Sequence, residues 1–216
     1  MNPNSLVDHF PMYMHPYQIA AYLARYELYK CILSIEGCII ECGVAWGGGL
    51  MWWSNLGYLL EPHNIIRKFY GFDVFNDTDP FPSLSEIDGN GELPKFPTDE
   101  VHLQERINQF SEECTGGQIK TYLIKGDACE TIPKWIADKP HALVSLLYLD
   151  FDVYLPTRTA LECFLPRMPR GSIVAFDECH YGKWPGETVA LLDTLGVRGF
   201  ELQRFPWCPM VGFIQL

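Results

Sequence analysis

Cys38-Ile39-Ile40-Glu41-Cys42-Gly43-Val44-Ala45-Trp46-Gly47-Gly48-Gly49 is the stretch on which the fold turns. Its first five residues are short and mostly apolar, as a strand buried on both faces of a sheet must be. Glycines follow at 43, 47, 48 and 49, where a chain must turn sharply and its backbone can lie against a ligand. Residues 50–60 then read as a helix. A buried strand, a glycine-rich turn and a helix form the repeating unit of a parallel α/β sheet.

The flanking sequence extends the pattern. Upstream, Ile19, Tyr22, Leu23, Tyr26, Tyr29 and Leu33 recur at helical spacing, with Pro16 suited to a first turn and Gly37 just past the end. Downstream, residues 69–73, 119–124, 142–149 and 172–176 read as strands, and residues 101–113, 157–164 and 188–195 as helices. Two more strands are expected near 200–205 and 210–215. Strands alternating with helices predict a doubly wound, mostly parallel α/β sheet of Rossmann-like type with an antiparallel C-terminal strand. The expected organisation is one domain over 1–216, with an N-terminal helical segment to about 36. A lid or substrate loop is inserted at about 76–100. Residues 76–98 hold four prolines, two glycines and several acids, and show little periodicity.

Composition sets outer limits. Hydrophobic residues are 48% and charged residues 20% of 216, which excludes disorder, collagen and coiled coil. Lys and Arg number 16 against 27 Asp and Glu, for a formal net charge of -11. Nucleic acid and anionic membrane are poor partners for such a surface. No apolar run nears the roughly 20 residues of a membrane span. Residues 1–10 lack a signal core, so a cytoplasmic protein with reduced thiols is expected. The eight cysteines form no Cys-x-x-Cys pair, and a zinc site is not expected.

Five predicted strands end in or run into acids: Glu41, Asp73, Asp127, Asp150 and Asp177. Ligands bind at the carboxyl ends of strands in such sheets, so this edge is the expected site. As a dinucleotide fingerprint the turn would read Gly43-x-Ala45-x-x-Gly48, with Ala45 where close approach to pyrophosphate needs glycine. As acid-x-Gly-x-x-x-Gly, through Glu41, Gly43, Val44 and Gly47, it fits S-adenosyl-L-methionine better. Asp73 can accept both ribose hydroxyls of either ligand. Asp127 and Ala128 suit the adenine amino group, or Asp127 caps the next helix.

Asp150 and Asp152 lie two apart on the end of a predicted strand, which would point both to one side. Asp177-Glu178 closes the neighbouring strand. Four carboxylates without a matched Arg or Lys nearby in sequence suggest a hard divalent cation, Mg²⁺ or similar, held by oxygens. Asp152 remains for proton abstraction. His180 is an alternative base, and Cys179 reads as a packing thiol. Trp46, Trp52, Trp53 and Tyr58 read as core or subunit interface.

These segments together resemble the macrocin O-methyltransferase-like (TylF-type) sugar methyltransferases. The resemblance rests on Tyr26-Glu27-Leu28-Tyr29-Lys30, Glu41-Cys42-Gly43-Val44 with Gly47-Gly48, Gly71-Phe72-Asp73, Tyr148-Leu149-Asp150-Phe151-Asp152-x-Tyr154-x-Pro156-Thr157, Asp177-Glu178 and Pro185-Gly186-Glu187. It implies a class I methyltransferase fold and an enzyme that uses S-adenosyl-L-methionine and Mg²⁺. The implied acceptor is a hydroxyl on a sugar-bearing small molecule, a nucleotide-activated deoxysugar or a glycosylated natural product. Asp150, Asp177 and Glu178 are then the implied metal ligands and Asp152 the implied base. The family usually carries two consecutive Asp where this chain has Asp177-Glu178. Many members form homo-oligomers, which an N-terminal aromatic helix could serve. Two other activities fit the same residues. A metal-dependent glycosyltransferase would use Asp-x-Asp, and a catechol-type Mg²⁺ methyltransferase would take a planar diol. A domain that binds ligand without chemistry is the non-enzyme alternative.

Overall fold

The computed structural model describes residues 9–76, 83–88 and 98–216. The central strands form where the chain is mostly apolar. The strands are β1 (Cys38–Cys42), β2 (Phe69–Asp73), β3 (Thr121–Lys125), β4 (Val144–Leu149), β5 (Ile173–Phe176), β6 (Gln203–Phe205) and β7 (Cys208–Gln215). Every residue of β1, β4 and β5 is buried, which explains why these three read as mostly hydrophobic runs rather than alternating ones, with Glu41 and Ser145 the polar exceptions. They form one seven-stranded sheet in the order β3-β2-β1-β4-β5-β7-β6. The first five strands pair in parallel and β7 pairs antiparallel with both β5 and β6.

Among the described residues six α-helices cover the sheet: α1 (Pro16–Cys31), α2 (Gly48–Leu60), α3 (Glu100–Thr115), α4 (Ala128–Asp138), α5 (Tyr154–Phe164) and α6 (Gly186–Thr194). Two cores result, one per face. On one face α1, α2 and α3 pack around Trp53, Tyr148 and Phe69. On the other, α4, α5 and α6 pack around Phe72, Trp135 and Phe164. Those three rings meet edge-on at 5.8–6.1 Å between centroids, a geometry that adds about 0.5–1.5 kcal/mol per pair beyond burial.

At the opposite edge of the sheet from the acids, Arg67 is a buried bolt. Its guanidinium donates to Glu61 at 2.6 Å, to the Gly37 carbonyl at 2.8 Å and to the Ile32 and Ile35 carbonyls at 3.1 and 3.0 Å. It ties the end of α1 to the start of β1.

The structure departs from the sequence reading in α1 and in α4. The buried face of α1 is Ala24, Arg25, Leu28 and Tyr29, whereas Ile19, Leu23 and Leu33 are exposed. An arginine in the apolar stripe concealed the true face. The helix α4 is implied in the sequence only by the capping role open to Asp127 and not by periodicity, because Pro133 lies inside it and lacks the N–H a helix interior requires. Asp127 compensates by capping its first turn. The expected lid at 76–100 falls mostly on residues 77–82 and 89–97, outside the described residues; within 83–88, Glu86–Asp88 forms a short 3₁₀ turn. No helix among the described residues is long and apolar enough to cross a membrane.

Candidate active site

Strand register builds the site. Cys42 pairs with Phe72 on one side and Leu149 on the other, and Leu149 pairs with Phe176. The next residue of each strand therefore stands in one row: Asp73, Gly43, Asp150 and Asp177. The ladder carries into that row, with Gly43 N–H donating to Phe72 O at 2.9 Å, Asp150 N–H to Cys42 O at 2.7 Å and Asp177 N–H to Leu149 O at 2.9 Å. The switch in strand order between β1 and β4 opens a cleft of about 600 Å³ beside this row. Glu41, Gly43, Val44, Asp73, Asp127, Ala128, Asp150, Asp152, Asp177 and Glu178 all line it. Gly47 is buried behind the turn as the residue before α2.

The glycine-rich turn is fixed by Asp73. One carboxylate oxygen, Oδ2, accepts the N–H groups of Val44 and Ala45 at 2.7 and 2.9 Å. The other, Oδ1, accepts Phe75 N–H at 2.9 Å. Each carboxylate oxygen has two lone pairs, so Oδ1 keeps one acceptor position for a ligand hydroxyl. Gly43 is required where it stands. Its φ is +91°, and a Cβ built there would lie 1.8 Å from the Asp150 carbonyl oxygen. Asp127 caps α4, accepting Cys129 N–H at 2.8 Å, and its other oxygen accepts the Ser83 hydroxyl.

The acids differ from expectation in two respects. β4 ends at Leu149, so alternation along a strand does not orient Asp152. A left-handed turn does, with Asp152 at φ +63°. The acid set also has a cation. Arg25, nearly buried on α1, puts its guanidinium 3.5 Å from Glu41, 3.6 Å from Asp150 and 4.0 Å from Asp177. It also lies over the Tyr148 ring, 4.2 Å from the centroid, while the Tyr148 hydroxyl donates to Asp177. Nothing in the sequence links position 25 to 150 or 177; the only available signal was a charge within an apolar helical stripe.

One arginine does not balance the set. Burial, then the charge of Asp177, pushes Asp150 well above the ordinary carboxylate range, against the pull of Arg25. Burial with Asp177 brings Asp152 up to about 6. Burial and the charges of Asp152 and Asp177 bring Glu178 up to about 8. Asp152 and Glu178 share a side-chain hydrogen bond that favours the proton on Glu178, leaving Asp152 as its acceptor. Glu41 rises to about 7, chiefly by burial. Glu187, absent from the sequence-based candidates, is fully buried beneath these loops.

Among the described residues, no three His, Cys, Asp or Glu side chains are arranged as a ready metal site. The donor set nonetheless suits a hard cation. All its atoms are carboxylate oxygens, negative charge exceeds positive, and Glu178 Oε2 is buried without a hydrogen-bond partner. His180 does not line the cleft; its N–H donates to Thr188 Oγ1 at 2.8 Å. The Cys179 side chain packs against Gly212, as a packing thiol would. Trp53 is core, whereas Trp46 is 66% exposed at the cleft.

Comparison with known proteins bears on this geometry. The chain is similar in structure to CalS11, a calicheamicin methyltransferase, with 31% identity, a TM-score of 0.91, and coverage of 99% of this chain and 86% of CalS11. A second CalS11 structure, the apo form, described as a TDP-rhamnose 3'-O-methyltransferase of calicheamicin biosynthesis, matches with 31% identity and a TM-score of 0.84. It covers 100% of this chain and 87% of that one. The O-methyltransferase NovP shares the fold at 13% identity and a TM-score of 0.65, over 90% of this chain and 78% of NovP. No curated protein matches the sequence. The family profile of macrocin-O-methyltransferase (TylF) matches residues 30–194. With most of its length matched, and a sheet, glycine turn and acidic row of the kind just described, the chain belongs to the macrocin-O-methyltransferase (TylF) family and is an O-methyltransferase.

Proposed function

We propose that this enzyme transfers the methyl group of S-adenosyl-L-methionine to a hydroxyl of a sugar on a small molecule, and that it requires Mg²⁺ or a similar divalent cation. The observation that carries the reading is the row of Asp73, Gly43, Asp150 and Asp177 along one edge of the sheet. It sets a turn suited to the methyl donor beside a cluster of oxygen ligands. The CalS11 description supports a nucleotide-activated deoxysugar as the acceptor class.

Asp150, Asp177 and Glu178 would hold the cation, and Arg25 would remain as their second counter-charge. When bound, the cation supplies Lewis acidity that lowers the pKa of a nearby hydroxyl. Glu41, Gly43, Val44 and Gly47 form the donor side, with Asp73 ordering the turn and offering Oδ1 to a ribose hydroxyl. Asp127 and Ala128 border the adenine end. Asp152 takes the acceptor proton; with its carboxyl at about 6 it is ionised at neutral pH and still basic. Such proton removal contributes typically about 10²–10⁴-fold. Holding the acceptor oxygen roughly 3–3.5 Å from the methyl carbon, in line with its bond to sulfur, supplies about 7–11 kcal/mol, so positioning outweighs the base. The products are a methyl ether, S-adenosylhomocysteine and a proton on Asp152.

The test is mass spectrometry of sugar acceptors after incubation with S-adenosyl-L-methionine, with Mg²⁺ or with chelator. A chelator-sensitive gain of one methyl group is expected. Transfer undiminished by chelator would remove the cation, and transfer of a glycosyl group would remove the whole reading.

A further inference from the structure

Asp152 adopts a backbone conformation that L-residues with side chains disfavour, at φ +63°. Such a residue persists only where its surroundings overdetermine it. Two buried carboxylates do so here. Glu187, the second residue of α6, directs Oε1 at the N–H groups of Phe151 and Asp152, at 3.1 and 3.3 Å. Its Oε2 accepts Glu178 N–H at 3.5 Å. One side chain thus holds the two loops that carry Asp152 and Glu178.

Asp88 grips the same turn at its far end. It belongs to the Glu86–Asp88 turn of the segment between β2 and α3. Its Oδ1 accepts Tyr154 N–H at 2.7 Å, two residues past Asp152. Its Oδ2 accepts the N–H and hydroxyl of Ser85, both at 2.8 Å. Gly186 lets the two acids approach: a Cβ there would lie 2.6 Å from both Asp88 Oδ1 and Tyr154 N. Neither acid lines the cleft. Buried carboxylates that accept mainly from backbone N–H groups act on geometry, since a displacement of about 1 Å at the reacting groups can cost roughly 10²-fold.

We infer that Glu187 and Asp88 are positioning residues that clamp the 151–154 turn and thereby aim the Asp152 carboxylate at the acceptor. The inference rests on the proposed role of Asp152 as base. Because Asp88 comes from the segment between β2 and α3, the clamp also links that segment to the proton-transfer step.

Two measurements test it. In Glu187→Ala, kcat falls roughly 100-fold, while calorimetric affinity for S-adenosylhomocysteine stays within about threefold, since Asp73 and the glycine turn are untouched. Glu187→Gln recovers most of kcat, because its amide oxygen still accepts from Phe151 and Asp152. By NMR, amide exchange accelerates at Phe151 and Asp152 in Glu187→Ala, and at Tyr154 in Asp88→Ala. Unchanged kcat, a loss of cofactor affinity in step with kcat, or a Gln variant no better than Ala would overturn the clamp. Wild-type turnover is measured first. A wild type inactive on every sugar acceptor defeats the functional reading, and the exchange rates then decide the clamp alone.

Discussion

Replacing Gly43 by alanine tests how tightly the turn and the acidic row are joined. The new methyl group would lie 1.8 Å from the Asp150 carbonyl oxygen and 2.6 Å from its carbonyl carbon. Both are backbone atoms, so no side-chain rotation relieves the contact. The φ of +91° adds about 1–2 kcal/mol for any residue with a Cβ. Separating β1 from β4 at this point also breaks the 2.7 Å hydrogen bond from Asp150 N–H to Cys42 O, worth about 0.5–1.5 kcal/mol. With overpacking at about 1–3 kcal/mol, the total is roughly 3–6 kcal/mol. At about 2–4 °C per kcal/mol for a chain of this size, the melting temperature falls by at least about 6 °C. Gly116→Ala is the control. Its φ is +62°, but nothing lies within 4 Å of the added Cβ, so only the conformational cost of about 1–2 kcal/mol applies. Thermal unfolding followed by circular dichroism compares them. Equal melting temperatures for the two variants would refute the argument that the backbone contact, rather than the left-handed angle, makes Gly43 necessary.

Asp73→Asn keeps one acceptor oxygen but turns an NH₂ toward backbone donors. Hydrogen bonds to a charged group are worth about 1.5–3 kcal/mol each, so calorimetric affinity for S-adenosylhomocysteine should weaken at least about tenfold. Asp152→Asn should retain that affinity and lose roughly 10²-fold or more in kcat; equal rates would remove the base assignment. Arg67→Met strips Glu61 of its buried partner and should destabilise the protein by about 3–5 kcal/mol. Its activity per folded molecule at low temperature should stay at the wild-type level. The acids also predict a pH dependence for the metal-free protein. Glu178 binds its proton more tightly when folded, with its carboxyl raised from 4.5 to about 8. That contribution is fully present below about pH 4.5 and is lost as pH rises through 8. Metal-free melting temperature should therefore fall with pH across this window. Saturating Mg²⁺ should flatten the fall, because ligation needs the ionised carboxylate. A stability that rises with pH in both forms would contradict the charge excess.

The primary structure alone determined the sheet and its site edge. Residues 38–42 and 69–73 are strands with the predicted bounds, because a strand in the middle of a covered sheet is written mostly in apolar residues. The glycine turn and the strand-end acids were legible because each is local: a tight turn needs glycine, and an acid at a strand end needs no distant partner to be noticed. The partners of those acids were not legible. Arg25 meets Asp150 and Asp177 across more than a hundred residues of chain, and Glu187 reaches back 35 residues to the Asp152 amide. Alternation gave Asp152 the right company for the wrong reason, since the strand stops at Leu149 and a left-handed turn bound by buried carboxylates does the orienting. Periodicity reports which residues share a face. Which charge lies opposite which depends on how faces pack, and that is a property of the assembled layers rather than of any segment.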